Sequence, residues 1–189
     1  MKVRDSGMPD ESMWKGFFAP SDVLSRLGLT SETPSVVDLG CGYGTFTIPA
    51  ANLTTGIVHG FDIEPEMIKA TRSRAESAGL TNVSLHVRDF VADGTGLPAD
   101  SVGYVMLFNI LHSEAPVRLL QEAHRILAPG EMVAVIHWVS DRPTPRGPSL
   151  DIRPSPEDCR RWMVEAGFTI EGAVVDLPPH HFGIVGRKA

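Results

Sequence analysis

The run Ser35-Val36-Val37-Asp38-Leu39 passes directly into Gly40-Cys41-Gly42-Tyr43-Gly44, and this junction constrains the fold more than any other stretch. The β-branched residues read as a strand. The three glycines read as a tight turn, because glycine takes positive φ at little cost and lets a ligand approach the backbone with no Cβ in the way. Thr45 is placed to cap a helix running through Leu53, and Gly56 separates that helix from a second apolar strand, Ile57 to Ile63. The order is strand, helix, strand, with the glycines at the first strand-to-helix turn.

The alternation continues. Pro65 suits the first turn of a helix that passes Met67, Ile68 and Ala75 and stops at Gly79. Val83 to Val87 is a third strand, and the apolar run Val102 to Leu111 reads as a fourth strand buried on both faces. Val117, Leu119, Leu120, Ala123, Ile126 and Leu127 mark a helix closed by Pro129-Gly130, and Met132 to Val139 is a fifth strand. A surface loop with prolines at 143, 145, 148, 154 and 156 precedes a helix from Glu157 to Ala166 and two strands near 168–176 and 181–186. Strands alternating with helices imply right-handed crossovers and a doubly wound α/β fold. Its mostly parallel sheet is expected to have seven strands with an antiparallel last strand.

Composition narrows the function. With 189 residues the chain is sized for a single domain, 1–189, and its net charge of −6 opposes a phosphate-tracking surface, so nucleic acid is not expected as a partner. Two cysteines, Cys41 and Cys159, make neither a disulfide framework nor a zinc motif. His180-His181 are neighbours that a strand would point to opposite faces, so no metal is expected. With no apolar run near bilayer length and a polar start, the chain reads as cytoplasmic, with no membrane partner.

In doubly wound sheets a ligand binds beyond the carboxyl ends of the strands, and the first turn is the prime place for it. The glycine spacing is GxGxG, which lacks the third glycine of a dinucleotide fingerprint, so an NAD-dependent oxidoreductase is disfavoured. Asp38, two residues before Gly40, is poorly matched to a pyrophosphate. It suits a ligand bearing an ammonium and a sulfonium.

Val36 through Gly44 resembles the first motif of the class I S-adenosylmethionine-dependent methyltransferases, closest to the ubiquinone and menaquinone biosynthesis (type 11) enzymes. Gly60-Phe61-Asp62-Ile63-Glu64-Pro65-Glu66-Met67, Leu97-Pro98 with the strand after it, and Leu127-Ala128-Pro129-Gly130 resemble the later motifs in register. The resemblance implies S-adenosylmethionine as cofactor and a small-molecule methyl acceptor, with a homodimer as a candidate assembly. It implies that the backbone of Gly40, Cys41, Gly42 and Gly44 faces the methionyl part and sugar, with Asp38 holding the amino group. Asp62 would accept both ribose hydroxyls. Ile63 and Met67 would pack on adenine, although Met67 reads equally as core. Asp89, with the Phe90 nitrogen alongside, would meet the adenine amine, with Asp93 as its rival. Asn109 would touch the methionyl end through its carbonyl.

His112 and His137 lie near the ends of the fourth and fifth strands, on the rim where an acceptor would sit. Each is a candidate base or a structural hydrogen-bonder. Residues 1–30 are expected to form a helical cover in which Trp14, Phe17 and Phe18 either close over the cofactor or join the core. Arg142, Arg146 and Arg153 either meet an anionic acceptor or are solvated. A cofactor-binding regulatory subunit without catalysis is the non-enzymatic alternative.

Overall fold

The computed structural model describes residues 17–189. In chain order the elements are α1 (Pro20–Arg26), β1 (Ser35–Leu39), α2 (Thr47–Leu53), β2 (Ile57–Asp62), α3 (Pro65–Ser77), β3 (Val83–Val87) and the one-turn α4 (Phe90–Asp93). They continue with β4 (Val102–Phe108), α5 (Pro116–Ile126), β5 (Leu127–Trp138), a short 3-10 turn (Leu150–Ile152), α6 (Pro156–Glu165), β6 (Phe168–Leu177) and β7 (His181–Lys188). The strands among the described residues form one seven-stranded sheet ordered β3-β2-β1-β4-β5-β7-β6. β1 to β5 pair in parallel, and β7 runs antiparallel to both β5 and β6. The strand order reverses between β1 and β4, so the crevice beyond their carboxyl ends is where a ligand would enter.

Every residue of β4 is buried, as its unbroken apolar run requires of a strand covered on both faces. On one face Leu107, Leu120, Ile126, Val135 and Met163 pack with α5 and α6. On the other, Leu24, Leu27, Phe46, Met106 and Ile136 join α1 and α2 to the sheet. The Tyr104 hydroxyl crosses this second core and donates to the Leu27 carbonyl at 2.8 Å, tying α1 to the central strand. α6 starts at a capping box in which Ser155 and Asp158 exchange hydrogen bonds.

Three local expectations are corrected. α2 begins at Thr47, so Phe46 rather than Thr45 takes the N-cap position and no side chain caps the helix; the Thr47 hydroxyl donates to Asp38 at 2.6 Å. β4 stops at Phe108, and Asn109 takes a left-handed φ of 60°, its N–H held by the Ile136 carbonyl at 2.7 Å. β5 begins at Leu127, so Pro129-Gly130 lie within the strand rather than before it. Residues 1–16, including Trp14, lie outside the described residues. Phe17 and Phe18 have a core to join: Phe17 is edge-on to Trp138 at 5.4 Å between centroids, and Phe18 to Phe46 at 5.0 Å.

Candidate active site

The glycine turn is stitched to the end of β2. The Gly40 and Cys41 N–H groups both donate to the Phe61 carbonyl, at 2.8 and 2.9 Å. The Gly42 N–H donates to Asp62 Oδ2 at 2.9 Å, and the Glu64 N–H donates to Asp62 Oδ1 at 3.0 Å. From α3, the Thr71 hydroxyl donates to the Gly42 carbonyl at 2.7 Å, and Arg74 donates to the Tyr43 carbonyl while lying 5.6 Å from the Tyr43 ring centroid. Gly40 and Gly44 have φ of 80° and 79°. A Cβ on Gly40 would stand 3.1 Å from Ile110 Cγ2, and one on Gly44 2.8 Å from Thr71 Cγ2, so both positions need glycine for space as well as for conformation.

These contacts turn the three amides of the loop inward, toward β2 and Asp62. The Cys41, Gly42, Tyr43 and Gly44 carbonyls also have donors within the fold, so the glycine Cα atoms, which carry no side chain, are what remain to meet a ligand. Cys41 is buried, its sulfur near the Cα of Gly60, and burial first, then Asp38 and Asp62, push its thiol well above the usual range. It is not a thiolate nucleophile.

Two carboxyl groups lie beneath the turn. Asp38, on β1, is 3% exposed, and burial is the largest cause raising its carboxyl to about 7, with Asp62 adding to the rise and the Thr47 hydrogen bond opposing it. Asp62, at the end of β2, is 5% exposed and raised by burial against the pull of its backbone donors. Each Asp62 oxygen holds one backbone N–H and keeps lone-pair capacity for a further donor.

Beyond Asp62, Ile63 is 37% exposed at the crevice mouth and Met67 is half-buried in the first turn of α3. The Arg88 N–H donates to the Asp62 carbonyl at 2.8 Å, which sets Asp89 beside the tip of β2. Asp89 Oδ1 caps α4 by accepting from the Val91 and Ala92 N–H groups at 3.2 and 3.0 Å, and half-buried Phe90 follows. Asp93 is one helical turn farther along. On the β4 side, Asn109 Oδ1 is buried with no hydrogen-bond partner.

His112 and His137 meet: Nδ1 of His112 is 3.3 Å from Nε2 of His137, and the rings are edge-to-face. His137 is fully buried, and burial first, then His112, hold its imidazole well below the usual histidine range. Next to this pair, Trp138 packs on His181 at 4.1 Å between centroids. His181 is buried with both ring nitrogens unpartnered, its imidazole pushed down to about 3 by burial. The loop arginines separate. Arg153 donates to the Pro148, Val139 and Arg146 carbonyls and covers Trp138, so it braces the proline-rich loop, whereas Arg142 pairs with neighbouring Asp141 on the surface. Sequence reading missed Thr47, Thr71 and Arg74, whose only signal was helical spacing that turned them toward the glycine loop.

Among the described residues no group of three or more His, Cys, Asp or Glu is placed to hold a metal ion, and no helix is long and apolar enough to cross a membrane.

A methyltransferase-domain family model matches residues 31–167. Among curated proteins, aklanonic acid methyltransferase DauC of Streptomyces sp. (strain C5) is 47% identical over 109 residues, 49% of this chain and 49% of that protein. Ribosomal protein L11 methyltransferase of Haemophilus influenzae is 37% identical over 84 residues, 44% of this chain and 27% of that protein. The chain thus spans about half or less of the curated relatives it matches. Among solved structures, a SAM-dependent methyltransferase from Aquifex aeolicus superposes with a TM-score of 0.84 at 24% identity, covering 95% of this chain and 94% of that one. The match across the glycine turn, both acidic strand ends and the sheet beyond them means that the chain belongs to the class I S-adenosylmethionine-dependent methyltransferases.

Proposed function

We propose that this chain transfers the S-methyl group of S-adenosylmethionine to a small-molecule acceptor that sits over the ends of β4 and β5. The observation that carries the cofactor reading is the pair of buried carboxyls beneath the glycine turn. Asp62 retains lone pairs on both oxygens for a ribose diol, and Asp38 supplies negative charge to an ammonium. The orphaned Asn109 Oδ1 suits the methionyl end. Ile63, Met67, Asp89 and Phe90 would take the adenine, with Asp89 favoured over Asp93 by its place beside the Asp62 carbonyl strand end. Gly42, Cys41 and Gly44 hold the loop in shape for this.

When bound, the cofactor supplies an activated methyl group, so the protein's task is to align donor and acceptor and keep water out. Phe17, Phe18 and Trp138 line the acceptor side with rings, and His112 with His137 supplies polar groups there. The segment ahead of α1 would close this side as a cover. What supports a small-molecule acceptor is that the match to a methyltransferase named for aklanonic acid runs over 109 residues, against 84 for the Haemophilus influenzae enzyme named for ribosomal protein L11.

Two measurements test this. Calorimetry should show S-adenosylhomocysteine binding and no comparable binding of NADH. Methyl-labelled S-adenosylmethionine, offered with a small-molecule extract and separately with ribosomal protein L11, should label the small-molecule fraction. Label in L11 alone would make the acceptor a protein, and binding without any transfer would make the chain a non-catalytic cofactor-binding subunit.

A further inference from the structure

The strand register brings another polar ring to the acceptor rim. β7 runs antiparallel to β5, so its first residue, His181, stands opposite Trp138, the last residue of β5, and both side chains leave the same face of the sheet. The His181 imidazole is 4.1 Å from the Trp138 ring and 4.3 Å from the Phe18 ring between centroids, with Phe17 at 6.5 Å. It is 0% exposed, and neither of its nitrogens has a hydrogen-bond partner. A phenyl ring in this place would make the same ring contacts with no polar atoms to desolvate, so packing does not account for a histidine here. The nitrogens gain a partner when a group from outside the fold enters among the rings.

We infer that His181 anchors a subsite for an uncharged, hydroxyl-bearing aromatic methyl acceptor, whose ring packs on Trp138 and whose hydroxyl pairs with an imidazole nitrogen. This rests on the acceptor site proposed above, at the ends of β4 and β5. The ring walls select an aromatic body. The imidazole stays neutral, because burial first, then His180 and Arg153, oppose a proton on it. One nitrogen of a neutral ring is a donor and the other an acceptor. A hydroxyl both donates and accepts, so it pairs with whichever nitrogen it reaches, whereas an ether or carbonyl only accepts and an ammonium only donates. A charged group would lose its hydration among the rings and find no counter-charge on His181.

Access comes from the Phe17 and Phe18 side. These two residues precede α1 and belong to no helix or strand, whereas Trp138 and His181 are fixed by the pairing of β5 with β7. Trp138 is also held by the proline-rich loop, where a Cβ on Gly147 would stand 2.8 Å from the indole and Arg153 lies 5.6 Å from the ring centroid. An aromatic ligand that displaces the Phe17 and Phe18 rings replaces their contacts with Trp138 and His181. Apolar burial is then nearly conserved, and the hydrogen bond to His181 is the net gain.

The test uses two probes of one shape, beta-naphthol and beta-methylnaphthalene, in which a methyl replaces the hydroxyl. The whole chain with isotope-labelled histidine ring nitrogens, saturated with S-adenosylhomocysteine, is titrated with each and followed by nuclear magnetic resonance. The naphthol should move the ring-nitrogen signals of His181, assigned through its own backbone, and bind about tenfold more tightly than the methyl compound. In His181→Phe, which keeps the ring contacts, that preference should vanish while the affinity for S-adenosylhomocysteine stays unchanged. Absent naphthol binding, binding that leaves the His181 signals in place, equal affinity for the two probes, or a preference that survives in His181→Phe overturns the inference, and the wild-type spectrum decides it even where the variant does not fold. Calorimetry on the same sample separates the two readings: absent S-adenosylhomocysteine binding strikes the proposed function, whereas its binding together with unmoved His181 signals strikes only the subsite.

Discussion

Replacing Asp38 by Asn should strengthen the ligand-free fold and weaken the cofactor site, with both effects depending on pH. The Asp38 carboxyl titrates in the folded chain at about 7, against an ordinary value of 3.8, chiefly because it is buried. Between these two values the native state binds more protons than the unfolded chain, so stability is fully present below the lower value and falls as pH rises to about 7. At about 1.4 kcal/mol per pH unit, moving from pH 5 to pH 8 costs the folded wild-type chain about 3 kcal/mol through this one group. Asn keeps an oxygen to accept from the Thr47 hydroxyl and never ionises. Urea unfolding of the ligand-free proteins should therefore show the Asp38→Asn variant gaining about 3 kcal/mol on the wild type between pH 5 and pH 8. A cationic ligand that pairs with the ionised carboxylate must first drive off its proton, so the wild-type Kd for S-adenosylmethionine should be about tenfold weaker at pH 6 than at pH 8. The variant should bind weakly with no such slope. Parallel stability of the two proteins across this range, or a flat wild-type Kd, would refute the placement of a protonated Asp38 under the glycine turn.

Asp62→Ala strips the acceptor from the Gly42 and Glu64 amides, so the folded chain should lose about 2–4 kcal/mol in denaturant unfolding, and S-adenosylhomocysteine should bind about 10–100-fold more weakly by calorimetry. An unchanged Kd in the folded variant removes Asp62 from the site. Gly44→Ala places a methyl 2.8 Å from Thr71 Cγ2 at positive φ, whereas Gly79→Ala, also at positive φ, meets open space. The first should cost about 2–3 kcal/mol and the second about 1 kcal/mol, and equal costs would mean that the turn yields where α3 meets it. Phe17→Ala in a background with Trp14 and Trp162 replaced by Phe should shift Trp138 emission to longer wavelength, because Trp138 is 2% exposed beneath the Phe17 ring. S-adenosylhomocysteine should reduce acrylamide quenching of Trp138 if the segment ahead of α1 closes over the site, and unchanged quenching would count against the cover.

The strand-turn-strand register of the site was legible in the chain because it is local. Asp38, the three glycines and Asp62 lie at strand ends, and the β-branched run of β1, the apolar run of β2 and the glycine spacing fix those ends within a residue or so. The unbroken apolar run of β4 and the alternation of element types likewise determined a doubly wound sheet, since only helices on both faces can bury such a strand. Asp89 was assigned to a ligand on sequence grounds, while its second role, capping α4, was visible in principle as an acid just ahead of a short helix.

What the sequence left undetermined depended on contacts between residues far apart in the chain. Nothing near Thr47 marks its hydroxyl for Asp38, and nothing near Asn109 announces the left-handed turn that ends β4 early. His112 and His137 each read alone as an ambiguous strand-end histidine. The parallel pairing of β4 with β5 brings one nitrogen of each ring to 3.3 Å. Sequence by itself determined the elements, their alternation and the acidic strand ends, because backbone conformation and hydrophobic period are properties of neighbouring residues. Only the tertiary structure decided the burial that raises the Asp38 carboxyl and the meeting of the two histidines. Burial and hydrogen-bond partners are set by whatever the folded sheet brings close, however distant in the chain.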